Sequence, residues 1–146
     1  MPLYKPPLWP VSVKAVVFDA QRRVLLLENE RREWGLPGGR LEITGQETGE
    51  AADLSPEAAV EREVLEETGW KVTAGPLIEG GLWIYEPIPG RRVLIVTYGC
   101  TALDPAQEPV ASSEHKRIGL FPVGELGALT VPGGYRDAIR AWYGRT

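Results

Sequence analysis

The sequence predicts a single α+β domain, a mixed β-sheet packed between helices in an α/β/α sandwich. Short apolar runs of strand character recur along the chain, and Gly, Pro and Asp punctuate them. Two segments read as helices, one of them bounded by both a start and a stop signal. The 146 residues, 43% hydrophobic and 25% charged, suffice for one domain with its own core. This mixture of hairpins with a few helices suggests a sheet with helices on its faces.

Residues 1–10 hold four prolines and read as an extended arm, which leaves 11–146 as the domain. Val11 to Asp19 alternates as a strand, Asp19 to Arg22 is a turn, and Val24 to Glu28 is a strand buried on both faces. These two strands read as a hairpin. Asn29 to Glu33 is a charged loop, and Trp34 to Gly39 is a short extended piece ending in a glycine turn. Within residues 40–54, Thr44 to Glu50 lacks hydrophobic periodicity and reads as a mobile loop. Ser55-Pro56 opens a helix of about four turns by the 3.6-residue period, with Ser55 as its cap and Pro56 at its first position. Gly69 suits the left-handed residue that ends it.

Val72 to Tyr85 is strand material broken at Gly75-Pro76 and Gly80-Gly81, and Pro87 to Arg91 is a turn. Arg92 to Tyr98 is the clearest buried strand, and a hairpin of Leu82–Tyr85 with Val93–Tyr98 follows from the spacing. Asp104 to Ser113 is a loop, Arg117 to Phe121 a short strand and Gly124 to Leu126 a helical turn. A final helix from Gly134 carries Tyr135, Ala138, Ile139 and Trp142 as an apolar stripe for the core.

The net charge of −4 and pI near 5.1 argue against a nucleic-acid polymer or an anionic membrane surface as partner. The one cysteine, Cys100, allows no internal disulfide and fits a reducing compartment. No apolar run reaches the length of a membrane span, and no signal-peptide pattern opens the chain, so a cytoplasmic protein is expected.

The chemistry concentrates on the first helix. Glu63, Glu66 and Glu67 stand at i, i+3 and i+4 and share one face. Like-charge neighbours at this spacing cost a few tenths of a kcal/mol each, and the last turn of a helix disfavours anions. Only Arg62 on the same helix offers a nearby cation. An exposed acidic face is the plain reading. A divalent ion bound by hard oxygen ligands, Mg²⁺ or Mn²⁺, would remove the conflict. Such an ion assists attack of water on a phosphate compound, and Gly38-Gly39 would let backbone approach a ligand closely.

Gly39 followed by Arg62-Glu63-Val64-Leu65-Glu66-Glu67-Thr68-Gly69-Trp70 resembles the Nudix box, G-x5-E-x7-R-E-U-x-E-E-x-G-U with U apolar. The R-E-U-x-E-E-x-G core matches at every fixed position, and Trp34 to Glu42 is also similar to the family. The order of elements over about residues 11–143 suits the Nudix fold. The resemblance implies hydrolysis of a nucleoside diphosphate linked to another group, or of a nucleoside triphosphate. It implies Glu63, Glu66 and Glu67 as metal-binding and catalytic carboxylates, Arg62 as the arginine that orients them, and the Gly38 carbonyl as a backbone metal ligand. A nucleotide-sensing module of the same fold, without turnover, is the alternative. The homodimer common among similar proteins is a further expectation.

This chain departs from the pattern in two respects that matter. Arg62 stands 23 positions after Gly39, against 14 in the family pattern, so nine residues are inserted before the helix. The pattern's first Glu falls on Leu54, and Asp53, Glu50 and Glu47 are the candidates to replace it. Glu114, in a loop before the strand Ile118–Phe121, resembles the extra metal-binding or base Glu of many members. Arg31, Arg40 and Trp34 flank the glycine turn, and Tyr85 and Arg92 lie near the later hairpin. They are the candidates to hold phosphate or stack on a base.

Overall fold

The computed structural model describes residues 9–41, 53–112 and 117–146. The elements run β1 (Val11–Val16), β2 (Arg23–Glu28), β3 (Trp34–Gly35), β4 (Gly38–Arg40), α1 (Pro56–Thr68), β5 (Val72–Ile88), β6 (Arg91–Ala102) and β7 (Arg117–Pro122). A 3₁₀ helix, Val123–Ala128, and α2 (Gly133–Tyr143) complete the chain.

The strands form two sheets. The larger has the order β4-β1-β6-β5, with β1 parallel to β6 and the other pairs antiparallel. The smaller, β3-β2-β7, is antiparallel throughout. The expected hairpin of the first two strands is therefore not a ladder. Phe18, just beyond β1, meets Val24 of β2 at an isolated bridge, and the two strands belong to different sheets. The reason is burial: Val24 to Leu27 are all buried, so β2 needs packed neighbours on both faces and strand partners on both sides.

Alternation along the central strands divides the core. Val13, Ala15 and Val17 join Tyr98, Cys100 and Ala102 in a cluster with Ala59, Val60 and Val64 of α1. Val16 and Ile95 point the other way, into a second cluster with Tyr135, Ala138 and Ile139 of α2. The two helices thus cover opposite faces, and the predicted apolar stripe on α2 is core.

Helix α1 spans the expected residues. Ser55 Oγ accepts the Ala58 N–H at 3.1 Å, and Gly69 adopts φ 74° and donates to the Leu65 carbonyl. β5 does not break at its glycines: it runs continuously as 17 residues and absorbs them as shifts of register against β6. The hairpin pairs Leu82 with Val96 and Tyr85 with Val93. Gly38 and Gly39 are not a turn but strand residues of β4, opposite Lys14 and Val13. The proline-rich arm up to residue 8 and most of the 40–54 loop lie outside the described residues.

Candidate active site

The site begins where β4 meets α1. Gly38 has φ 146°, a conformation that L side chains rarely adopt, and a Cβ there would strike the Val13 carbonyl and the Lys14 side chain. A Cβ on Gly39 would lie 2.6 Å from the Glu63 carboxylate. The two glycines therefore let helix carboxylates settle directly on strand backbone. Glu67 is buried, and its Oε1 accepts the Gly38 N–H at 2.7 Å.

Arg62 organises the other carboxylates. Its Nη1 donates to Glu63 Oε1 at 3.0 Å and to Glu66 Oε2 at 3.3 Å. Its Nε and Nη2 donate to the two oxygens of Asp53, each at 3.0 Å. That bidentate pair, chiefly, raises the guanidinium's pKa further, and Glu63 adds to it. Glu63 is largely buried, and burial holds its carboxyl above the usual carboxylate range despite Arg62. Glu66 is the most exposed of the three, with 54% of its side chain accessible.

Lys14 enters from β1. Its Nζ lies 3.5 Å from the Gly38 carbonyl oxygen, long for a hydrogen bond but a direct charge–dipole contact. Burial lowers its pKa, and the charges of Glu67 and then Glu63 oppose that shift. Lys14, Gly38 and Glu67 line a cavity of about 290 Å³ together with Arg31, Tyr85 and Tyr135.

The far wall is a polar network. The Tyr85 hydroxyl donates to Glu33 Oε1 at 2.7 Å, and Arg31 Nε and Asn29 Nδ2 donate to the same oxygen at 3.0 and 3.1 Å. Arg31 Nη2 also reaches the Tyr85 hydroxyl at 3.2 Å. Glu28, another lining residue, is held by Arg117 Nη2 at 2.6 Å and Nε at 3.1 Å.

The expected residues thus divide. Glu63, Glu66, Glu67, Arg62 and Gly38 come together, and Arg31 and Tyr85 line the adjoining cavity. Trp34 does not offer its ring to a ligand: it is buried in the α2-side core, edge-on to Phe121, because β3 is flanked by β2 and its side chain turns inward. Arg40 is exposed at the end of β4 and is not among the lining residues. Arg92 pairs with Glu86 at 2.9 Å and borders a separate cavity with Trp9 and Arg91. Glu114, Glu47 and Glu50 lie outside the described residues.

Of the three candidates for the pattern's first Glu, Asp53 is placed on Arg62, whereas Leu54 itself is 98% exposed. Sequence reasoning missed Lys14, Glu33 and Tyr135 as site residues. Lys14 looked like an outward-facing polar residue of an alternating strand. The available signal was that its neighbours Val13, Ala15, Val16 and Val17 are all apolar, so the strand is buried on both faces.

Among the described residues, no three carboxylate, His or Cys side chains already converge as a ligand set. Glu63 and Glu66 lie on Arg62, and Glu67 on Gly38. The donor chemistry nevertheless suits a hard divalent cation: three carboxylates and a carbonyl, the latter already facing the Lys14 ammonium.

Comparison with known proteins gives a consistent result. The NUDIX domain model matches residues 8–142. A MutT-like protein of Streptomyces ambofaciens is 41% identical over 73 residues, 49% of this chain and 42% of that protein, so the match spans less than half of that relative. The crystal structure of the MutT protein from Methanosarcina mazei Go1 aligns with a TM-score of 0.71 at 26% identity, covering 99% of this chain and 98% of that one. An ADP-ribose pyrophosphatase from Streptococcus suis shares the fold, with a TM-score of 0.65 at 22% identity over 93% of this chain and 90% of that one.

Proposed function

Because the chain belongs to the Nudix family of hydrolases, we propose that it cleaves a pyrophosphate bond in a nucleoside diphosphate-linked or nucleoside triphosphate substrate with Mg²⁺ or Mn²⁺. Glu63, Glu66, Glu67 and the Gly38 carbonyl would hold the metal. When bound there, it would polarise a phosphoryl oxygen, activate a water and screen phosphate charge.

The chain's own residues do the rest. Arg62 fixes the Glu63 and Glu66 carboxylates relative to one another, and Asp53 fixes Arg62. Gly38 presents its N–H to Glu67 and its carbonyl to the cavity side occupied by Lys14. Arg31 and Tyr85, held by Glu33, give the cavity a cationic and aromatic wall suited to phosphate and to a base or sugar.

The observation that carries this reading is the hydrogen bond from the Gly38 N–H to Glu67 Oε1 at 2.7 Å. It joins two sequence segments 29 positions apart at the edge of one cavity. The test is hydrolysis of a panel of nucleoside triphosphates, nucleoside diphosphate sugars, ADP-ribose and dinucleoside polyphosphates. Turnover with Mg²⁺, abolished by EDTA, is expected. Nucleotide binding without turnover across the panel would instead identify the sensing module.

A further inference from the structure

Lys14 is a cavity-lining cation beside Glu67 that the helix alone does not account for. It sits on β1, whose Val13 and Ala15 pack into one side of the core and Val16 into the other, while Ser12 lines the cavity beside it. Its stem runs over Gly38, where a Cβ would lie 2.9 Å from Lys14 Cδ. Its ammonium ends 3.5 Å from the Gly38 carbonyl oxygen, and the N–H of the same glycine is held by Glu67. One residue of backbone is thus gripped between a cation at its oxygen and an anion at its nitrogen. A carbonyl oxygen facing an ammonium in a cavity shared with a carboxylate is a cation seat, and this chain supplies its own occupant.

We propose that Lys14 is a resident counter-ion of this seat, which a divalent cation must displace from the Gly38 carbonyl, so that Lys14 sets the metal affinity of the site. This rests on the assignment of Gly38 and Glu67 to the metal. It goes further by naming a residue outside both motif segments that competes with the metal. The physical ground is repulsion: an ammonium and a divalent ion drawn to the same carbonyl oxygen repel one another strongly in a partly buried site. Displacement sends the ammonium into the cavity, where the phosphates of a substrate would meet it.

The test is Mn²⁺ affinity, measured by electron paramagnetic resonance on full-length wild type, Lys14→Met, Lys14→Arg and Glu67→Gln, without substrate. Lys14→Met keeps the stem and removes the charge, so its affinity should rise at least tenfold. Lys14→Arg keeps the charge and should stay within about threefold of wild type, given that residue exchange leaves the Coulomb repulsion in place. Unchanged or weaker binding by Lys14→Met overturns the proposal. So does an equal rise in Lys14→Arg, which would place the effect in packing. If wild type binds Mn²⁺ and Glu67→Gln does not, the metal assignment stands whatever Lys14→Met does; if neither wild type nor Lys14→Met binds Mn²⁺, both fall together. A second measurement needs no variant beyond those used for assignment. The ε-methylene resonance of Lys14, one of four lysines in the chain, should shift on saturation with Mg²⁺ and return with EDTA. A resonance indifferent to Mg²⁺ also overturns the proposal.

Discussion

Glu67→Gln separates the two tasks that the structure gives to one side chain. The carboxylate accepts the Gly38 N–H at 2.7 Å in a buried setting and carries one of the negative charges of the site. Glutamine keeps an oxygen at the same reach, so the strand–helix junction stays hydrogen-bonded. What is lost is the charge assistance. Hydrogen bonds to charged groups contribute about 1.5–3 kcal/mol against about 0.5–1.5 for neutral ones, so the expected destabilisation is about 1 kcal/mol. For a chain of this size that is a fall in Tm of roughly 3 °C. Glu67→Ala leaves the buried N–H without its acceptor and should cost about 1–3 kcal/mol more. Activity should not distinguish the two variants as stability does. Both variants lose the anionic oxygen, and kcat should drop roughly 10²- to 10⁴-fold in each, the scale of a positioned acid–base group. Thermal denaturation and initial-rate hydrolysis on the same preparations check this. Wild-type turnover in Glu67→Gln would refute the reasoning, because the hydrogen bond alone would then suffice.

Three other perturbations test separate parts of the structure. Asp53→Asn weakens the bidentate hold on Arg62 and should lower activity or Mn²⁺ affinity about 10- to 100-fold, as loss of an outer-shell partner does, with little change in Tm; wild-type values for both would show that Asp53 is incidental. Gly99→Ala places a methyl group into the Trp142 ring and should cost about 1–3 kcal/mol by overpacking, read as a lower Tm with unchanged specific activity of the folded fraction. Burial works against the Glu33 carboxylate, but hydrogen bonds from Tyr85, Asn29 and Arg31 carry its pKa below the usual range. A depressed folded-state pKa contributes stability above the unfolded value, about 4.3 for Glu, and loses it as pH falls through the folded value. Glu33→Gln should therefore be less stable than wild type at pH 7, and the gap should close on acidification; a gap that widens toward low pH would contradict the assignment.

What the sequence made legible follows how local each signal is. The limits of α1 could be read because Ser55, Pro56 and Gly69 act within one helical turn of where they stand. The carboxylate trio was visible for the same reason, since helical periodicity alone puts Glu63, Glu66 and Glu67 together. The later hairpin was visible because Pro89-Gly90 lies between two apolar runs. The failures are non-local. Nothing in residues 11–28 says that two adjacent strands will each choose partners far along the chain, β6 for one and β7 for the other. Trp34 could pass for a ligand platform because its burial against Phe121 depends on β7. Gly38-Gly39 looked like a turn because paired glycines usually are; here they are strand residues kept bare so that Glu63 and Glu67 can approach.

The charge count at the junction changes the case for a metal. From the helix alone, three carboxylates faced one arginine, and the uncompensated repulsion pointed to a divalent ion. The folded chain brings a second cation, Lys14, and so weakens that step. It also brings a fourth carboxylate, Asp53, which occupies two of the donors of Arg62. Four formal negative charges then stand against two positive ones, and the balance of −2 is that of one divalent cation. Burial holds Glu63 above the usual carboxylate range even with Arg62 beside it, so the resident cations do not fully compensate the desolvation of this side chain. A divalent ion is therefore favoured by more than crowding on a helix face: a deficit of charge remains among these described residues once their partners have been placed.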